Sequence, residues 1–133
     1  MKYLIILSII IFDFANADIE IIASPSCKVE VIAKSDIKKL FMLKKRRISK
    51  ESIKIIDSSE KITYKKFIKQ YMNKSPRRMK TYWTRMLFTG KKIPPKKLSL
   101  GELNSLDNSR ACYLTYIIDE ELKPKDWKTI KIK

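Results

Sequence analysis

Apolar residues along this chain change their spacing several times, and each change marks an element. Residues 19–23 are short, β-branched and partly alternating, and Ser24-Pro25-Ser26 follows with turn chemistry, so a first strand runs into a loop. Over residues 35–43, Ile37, Leu40, Phe41 and Leu43 fall at helical spacing behind Ser35-Asp36, with Lys38 and Lys39 outward. A second strand, 52–56, ends at Asp57-Ser58-Ser59. Tyr64, Phe67, Ile68 and Tyr71 then form one face of a helix over 63–72. Met79, Tyr82, Trp83, Met86 and Leu87 do the same for a helix opened by Ser75-Pro76 and stopped by Gly90.

Ile93-Pro94-Pro95 must be extended, because consecutive prolines oppose helix. Ser99 and Glu102 stand at capping-box spacing and begin a short helix through Leu106. Residues 111–118 and 129–133 are β-prone on either side of a turn region at 119–126. This order predicts an α/β domain with a mixed sheet of about four strands and about four helices.

Residues 3–12 form a nearly unbroken apolar run after Met1-Lys2, and Ala15-Asn16-Ala17 supplies a small-x-small pattern. Together they read as a secretory signal peptide over residues 1–17. The run is ten residues long, whereas a helix crossing a bilayer needs roughly 20. The expected mature chain is residues 18–133, one domain without a later transmembrane segment, acting in the periplasm.

Charge changes the picture further. The net charge is +16, and removal of residues 1–17 takes away Lys2 and Asp13 together, so it stays +16. Such an excess favours anionic partners through long-range attraction, whether phosphate, nucleic acid or an acidic surface. Its plain alternative is solubility. Export argues against nucleic acid, and no motif that reads DNA or RNA is present.

The chain has no His, which removes the usual material for zinc sites and for Cys-His or Ser-His catalysis. Without a paired-carboxylate motif either, it reads as a non-enzyme that takes no cofactor and no metal. Cys27 and Cys112 admit two readings, a disulfide formed after export or two separate buried thiols.

Several segments, in order, carry a resemblance. They are the first strand running into Ala23-Ser24-Pro25-Ser26, the helix over 35–43, the strand ending at Asp57, and Phe67 ahead of Lys74-Ser75-Pro76. The most specific is Tyr82-Trp83-Thr84-Arg85-Met86-Leu87-Phe88-Thr89-Gly90-Lys91-Lys92-Ile93-Pro94-Pro95. This series resembles a family of small exported proteins similar to the phosphate-binding component of ABC transporters, built on the type 2 periplasmic-binding-protein fold. The resemblance implies a single three-layer-like lobe, a solute-binding role with phosphate or another oxyanion as ligand, and an ABC transporter permease as partner.

Under that resemblance Ser24, Ser26, Asp57, Ser58, Ser59, Arg85 and Thr89 are the candidate ligand residues. Loops at the carboxyl ends of strands are where open α/β sheets bind ligands, and Ser hydroxyls can donate to an anion there. Asp57 would accept the ligand's proton; its alternative is a cap or turn residue. The alternative for Arg85 is a cation over a ring or a helix C-terminal charge, and for Thr89-Gly90 a helix C-cap. Tyr82 and Trp83 read as core.

Departures from the family pattern accompany the matches. Tyr64 stands where an Arg is usual, and Arg110-Ala111-Cys112-Tyr113-Leu114 replaces a Gly-rich start of a strand. The length suffices for one lobe, whereas two-lobed binders close over their ligand. A second expectation therefore stands beside the first: a basic interaction module that docks on an acidic partner or anionic envelope surface through Lys44 to Arg47 and Arg77-Arg78, with the fold kept as scaffold.

Overall fold

The computed structural model describes residues 18–133. The signal peptide expected at residues 1–17 lies outside the described residues.

Eight strands and four α-helices follow one another among the described residues. Strand β1 is Glu20–Ala23, β2 Val31–Ile32, β3 Arg47–Ile48, β4 Glu51–Ser58, β5 Lys96–Leu98, β6 Cys112–Ile117, β7 Lys128–Thr129 and β8 Lys131–Ile132. Helix α1 is Lys34–Phe41, α2 Lys61–Phe67, α3 Pro76–Phe88 and α4 Leu100–Asn104. A π turn, Ile68–Met72, extends α2 and ends at Asn73 in the left-handed region.

Six strands form one mixed sheet in the order β3-β4-β6-β1-β7, with β5 beside β4 as well. The long strand β4 offers one edge to both β3, antiparallel at its start, and β5, parallel at its end. Its other edge pairs in parallel with β6. Strand β1 runs antiparallel to β6 and to β7. The chain then crosses at Ile130, whose N–H bonds Ile21, so that β8 can join β2 in a separate two-stranded sheet.

The mixed α/β class and the four helices match expectation, but the strand count does not. Six strands, rather than about four, make the main sheet. The additional ones are two or three residues long, too short to display alternation, and they exist only because a neighbour's edge is available.

Alternation along the central strands divides the interior in two. Ile21 and Ala23 of β1, Ile53 and Ile55 of β4, and Leu114 and Tyr116 of β6 face the larger core. There α1 contributes Ile37, Leu40 and Phe41, α2 and its π turn Phe67, Ile68 and Met72, and α3 Met79 and Trp83. Phe67 stacks on Tyr116 with centroids 3.8 Å apart, and Phe41 leans on both rings. On the opposite face Ile22, Ile56 and Ile117 meet Leu98, Leu103 and Trp127. Helix α4, held by the Ser99–Glu102 capping box, covers that smaller core.

Candidate functional site

The seven residues expected around an anion lie in three places. Because β1 runs antiparallel to β6 while β4 runs parallel to it, the outgoing ends of β1 and β4 point to opposite ends of the sheet. Ser24 bonds Tyr113, and Asp57 bonds Tyr116. Three residues of β6 separate those levels, roughly 10 Å along the strand.

At the first place, the hydroxyls of Ser24 and Ser26 are engaged by the protein itself. Ser24 is fully buried. Its Oγ donates to the Ala111 carbonyl at 3.1 Å and accepts from the Tyr113 N–H at 2.8 Å. The Ser26 hydroxyl is shared between the carbonyls of Asn108 and Ala111. Next to them Cys27 and Cys112 are joined in a disulfide with Cα atoms 4.5 Å apart, closing 85 residues of sequence separation. The loop after β1 is thus sewn to the start of β6. Of the residues expected around an oxyanion, Ser24 and Ser26 give their hydroxyl hydrogens to backbone carbonyls.

Glu51 lies against the same disulfide. Its two carboxylate oxygens accept the Lys28 N–H. Sulfurs committed to a disulfide are not thiolate donors, so Cys27, Glu51 and Cys112 do not constitute a metal centre.

At the second place, Asp57 and Ser58 are buried at the end of β4. Asp57 Oδ1 accepts the Tyr116 phenol and, at 3.0 Å, the Ser58 N–H. Ser58 Oγ accepts the Glu60 N–H, while the N–H of exposed Ser59 bonds Leu98. Burial raises the Asp57 pKa, against the bonds from Tyr116 and Ser58 and the positive Lys97, which lower it. Lys97 stands 4.0 Å over the Tyr64 ring. Burial, and then the Asp57 charge, push the Tyr64 phenol up to about 12. Tyr64 therefore supplies a ring to the Lys97 cation.

At the third place, Arg85 and Thr89 lie on the exposed side of α3. The Thr89 hydroxyl bonds back to the Arg85 carbonyl at 2.8 Å, as a C-cap does. Arg77, Lys80, Arg85 and Phe88 share this side, lining a shallow groove of about 590 Å³. Its opposite side buries Met79 and Trp83, the core role expected of Trp83. Tyr82 is half-buried, its hydroxyl donating to the Met42 carbonyl at 3.1 Å. Among the described residues, Ser24, Asp57 and Thr89 do not converge on one concavity.

The arrangement concentrates positive charge instead. Between Glu60 and Glu102 the sequence holds thirteen Lys and Arg and no Asp or Glu. Helix α2, its π turn and α3, all within this stretch, cover one face of the sheet. Partial burial, and then the like charges of Lys38, Lys44 and Arg78, lower the Lys74 pKa. Two ion pairs form among the described residues, Lys45 with Asp36 and Lys123 with Glu120. The acid-free run was visible in the sequence, yet only the packing of α2 and α3 on one face makes it a surface.

No family model, curated protein or solved structure matches this chain.

Proposed function

We propose that this chain is an exported, disulfide-braced basic domain that works by docking its helical face on an anionic surface. The observation that carries the reading is the segment from Lys61 to Lys92, with eleven cations and no anion, whose helices α2 and α3 fold over one side of the sheet. Arg77, Arg78, Lys80, Arg85 and Lys91 of this segment are exposed and act outward, under a net charge of +16. Attraction of this kind is long-ranged and steers encounter with anions. The export leader at residues 1–17 and the bridged cysteines support an oxidising, extracytoplasmic setting.

In this reading the likeness to phosphate-binding proteins is a likeness of scaffold. A phosphate receptor of the expected kind asks Ser24, Asp57 and Thr89 to meet, and in the fold they stand apart.

Retention on immobilised heparin across a salt series tests the proposal. Docking by charge predicts tight retention at low ionic strength and release as the Debye length shrinks. Arg77→Gln together with Arg78→Gln should elute at clearly lower salt. Retention that ignores salt would end this reading.

A further inference from the structure

The end of α3 combines charge with exposed apolar surface. Phe88 is 93% exposed, Ile93 77% and Leu87 52%, within one helical turn and the bend that follows it. Large side chains left this open need a reason when a sizeable core lies on the other side of the same helix. Disorder is not the reason, because the bend is closed by hydrogen bonds. The N–H groups of Thr89, Gly90 and Lys91 return to Arg85, Leu87 and Met86 at 3.0–3.1 Å. Gly90 takes φ +68°, the left-handed value that ends a helix. Lys92 Nζ then fastens the bend to the end of α1 through the Met42 carbonyl at 3.3 Å.

Around this apolar tip the charge is all of one sign. Arg77, Lys80 and Arg85 follow one another along the exposed side of α3 toward Phe88, and Lys91 follows the bend. An acidic protein would have to offer pockets shaped to these three side chains beside its charges, whereas a bilayer interface takes up projecting apolar groups of any shape. A bilayer with anionic headgroups answers both features: apolar side chains enter the interface, and long basic side chains keep their charge among the headgroups.

We infer that the exposed side of α3 lies on an anionic lipid bilayer, with Leu87, Phe88 and Ile93 entering the interface and Arg77, Lys80, Arg85 and Lys91 paired with phosphate headgroups. This rests on the anionic-docking reading above and names its partner.

The chain as its host exports and processes it is the species to test. Cosedimentation uses vesicles of phosphatidylglycerol and phosphatidylcholine in equal parts, against phosphatidylcholine alone. Binding is expected only to the former. Phe88→Ser with Ile93→Ser should weaken it roughly tenfold or more while leaving heparin retention unchanged, since each buried apolar side chain contributes on that scale. Arg85→Gln should weaken vesicle binding about fivefold. Phe88→Trp should shift the emission of the introduced indole to the blue on mixing with the anionic vesicles.

Heparin retention without vesicle binding would overturn the bilayer assignment and leave docking by charge in place, with an acidic macromolecule as its partner. Vesicle binding that survives the double Ser substitution would also overturn it, as would an unmoved emission in Phe88→Trp. Loss of both heparin and vesicle binding would remove the underlying reading as well.

Discussion

The phenol of Tyr116 donates its hydrogen to Asp57 Oδ1 across the parallel pairing of β4 and β6, while its ring stacks on Phe67 from α2. One side chain thus ties a buried carboxyl group of the sheet to the core helices. In Tyr116→Phe the stack persists and the hydrogen bond is lost. Stability should fall by about 1–3 kcal/mol, the cost of leaving a buried polar group short of a partner. The Asp57 pKa should rise further, because that hydrogen bond opposes burial. Urea unfolding and NMR titration of the Asp57 carboxyl carbon check the two effects separately.

Asp57 also gives folding a pH dependence of defined sign. Its pKa is raised above 3.8 in the folded chain, so between the two pKa values the folded state holds more protons than the unfolded one. Stability from this group is complete below the unfolded pKa and declines as pH rises through the native one. Asp57→Asn should flatten that decline while keeping an acceptor for Tyr116. Denaturation midpoints measured across the acid range would show an unchanged slope if Asp57 were not its source.

Much of the helical structure was legible in the chain, and much of the sheet was not. Ile37, Leu40 and Phe41, or Met79 and Trp83, announce a buried face because helical spacing repeats over enough residues. Ser75 ahead of Pro76, and Ser99 with Glu102, mark helix starts by local hydrogen bonding. Arg47-Ile48 and Lys96 to Leu98 give no comparable signal, since each is a strand only through β4. Strand direction is hidden for another reason. Alternation reads the same either way, so nothing within residues 19–23 tells that β1 opposes β6. That reversal separates Ser24 from Asp57.

Cys27 and Cys112 constrain the unfolded chain across 85 residues of sequence. Cys27→Ala with Cys112→Ala should therefore lower stability by about 2–5 kcal/mol. Chemical unfolding with and without reductant measures it: the native chain should lose most of that amount on reduction, and the double variant should be indifferent to reductant.

The capping box at α4 offers a smaller, local test. Ser99 Oγ accepts the Glu102 N–H at 3.2 Å, and Glu102 Oε1 accepts the Ser99 N–H at 3.1 Å. Ser99→Ala should cost about 0.5–2 kcal/mol. Fraying of α4 would uncover Leu103, so amide exchange should quicken at Leu103 and neighbouring positions while the larger core stays protected.

The bridge between Cys27 and Cys112 also makes a covalent ring of everything between them, α3 with its basic side and apolar tip included. A single backbone cut in the exposed stretch around Ser109-Arg110 would open that ring without releasing a piece. The nicked chain would still run as one species on a non-reducing gel and separate into two only after reduction. Such a domain can be cut once by a protease and keep α3 attached.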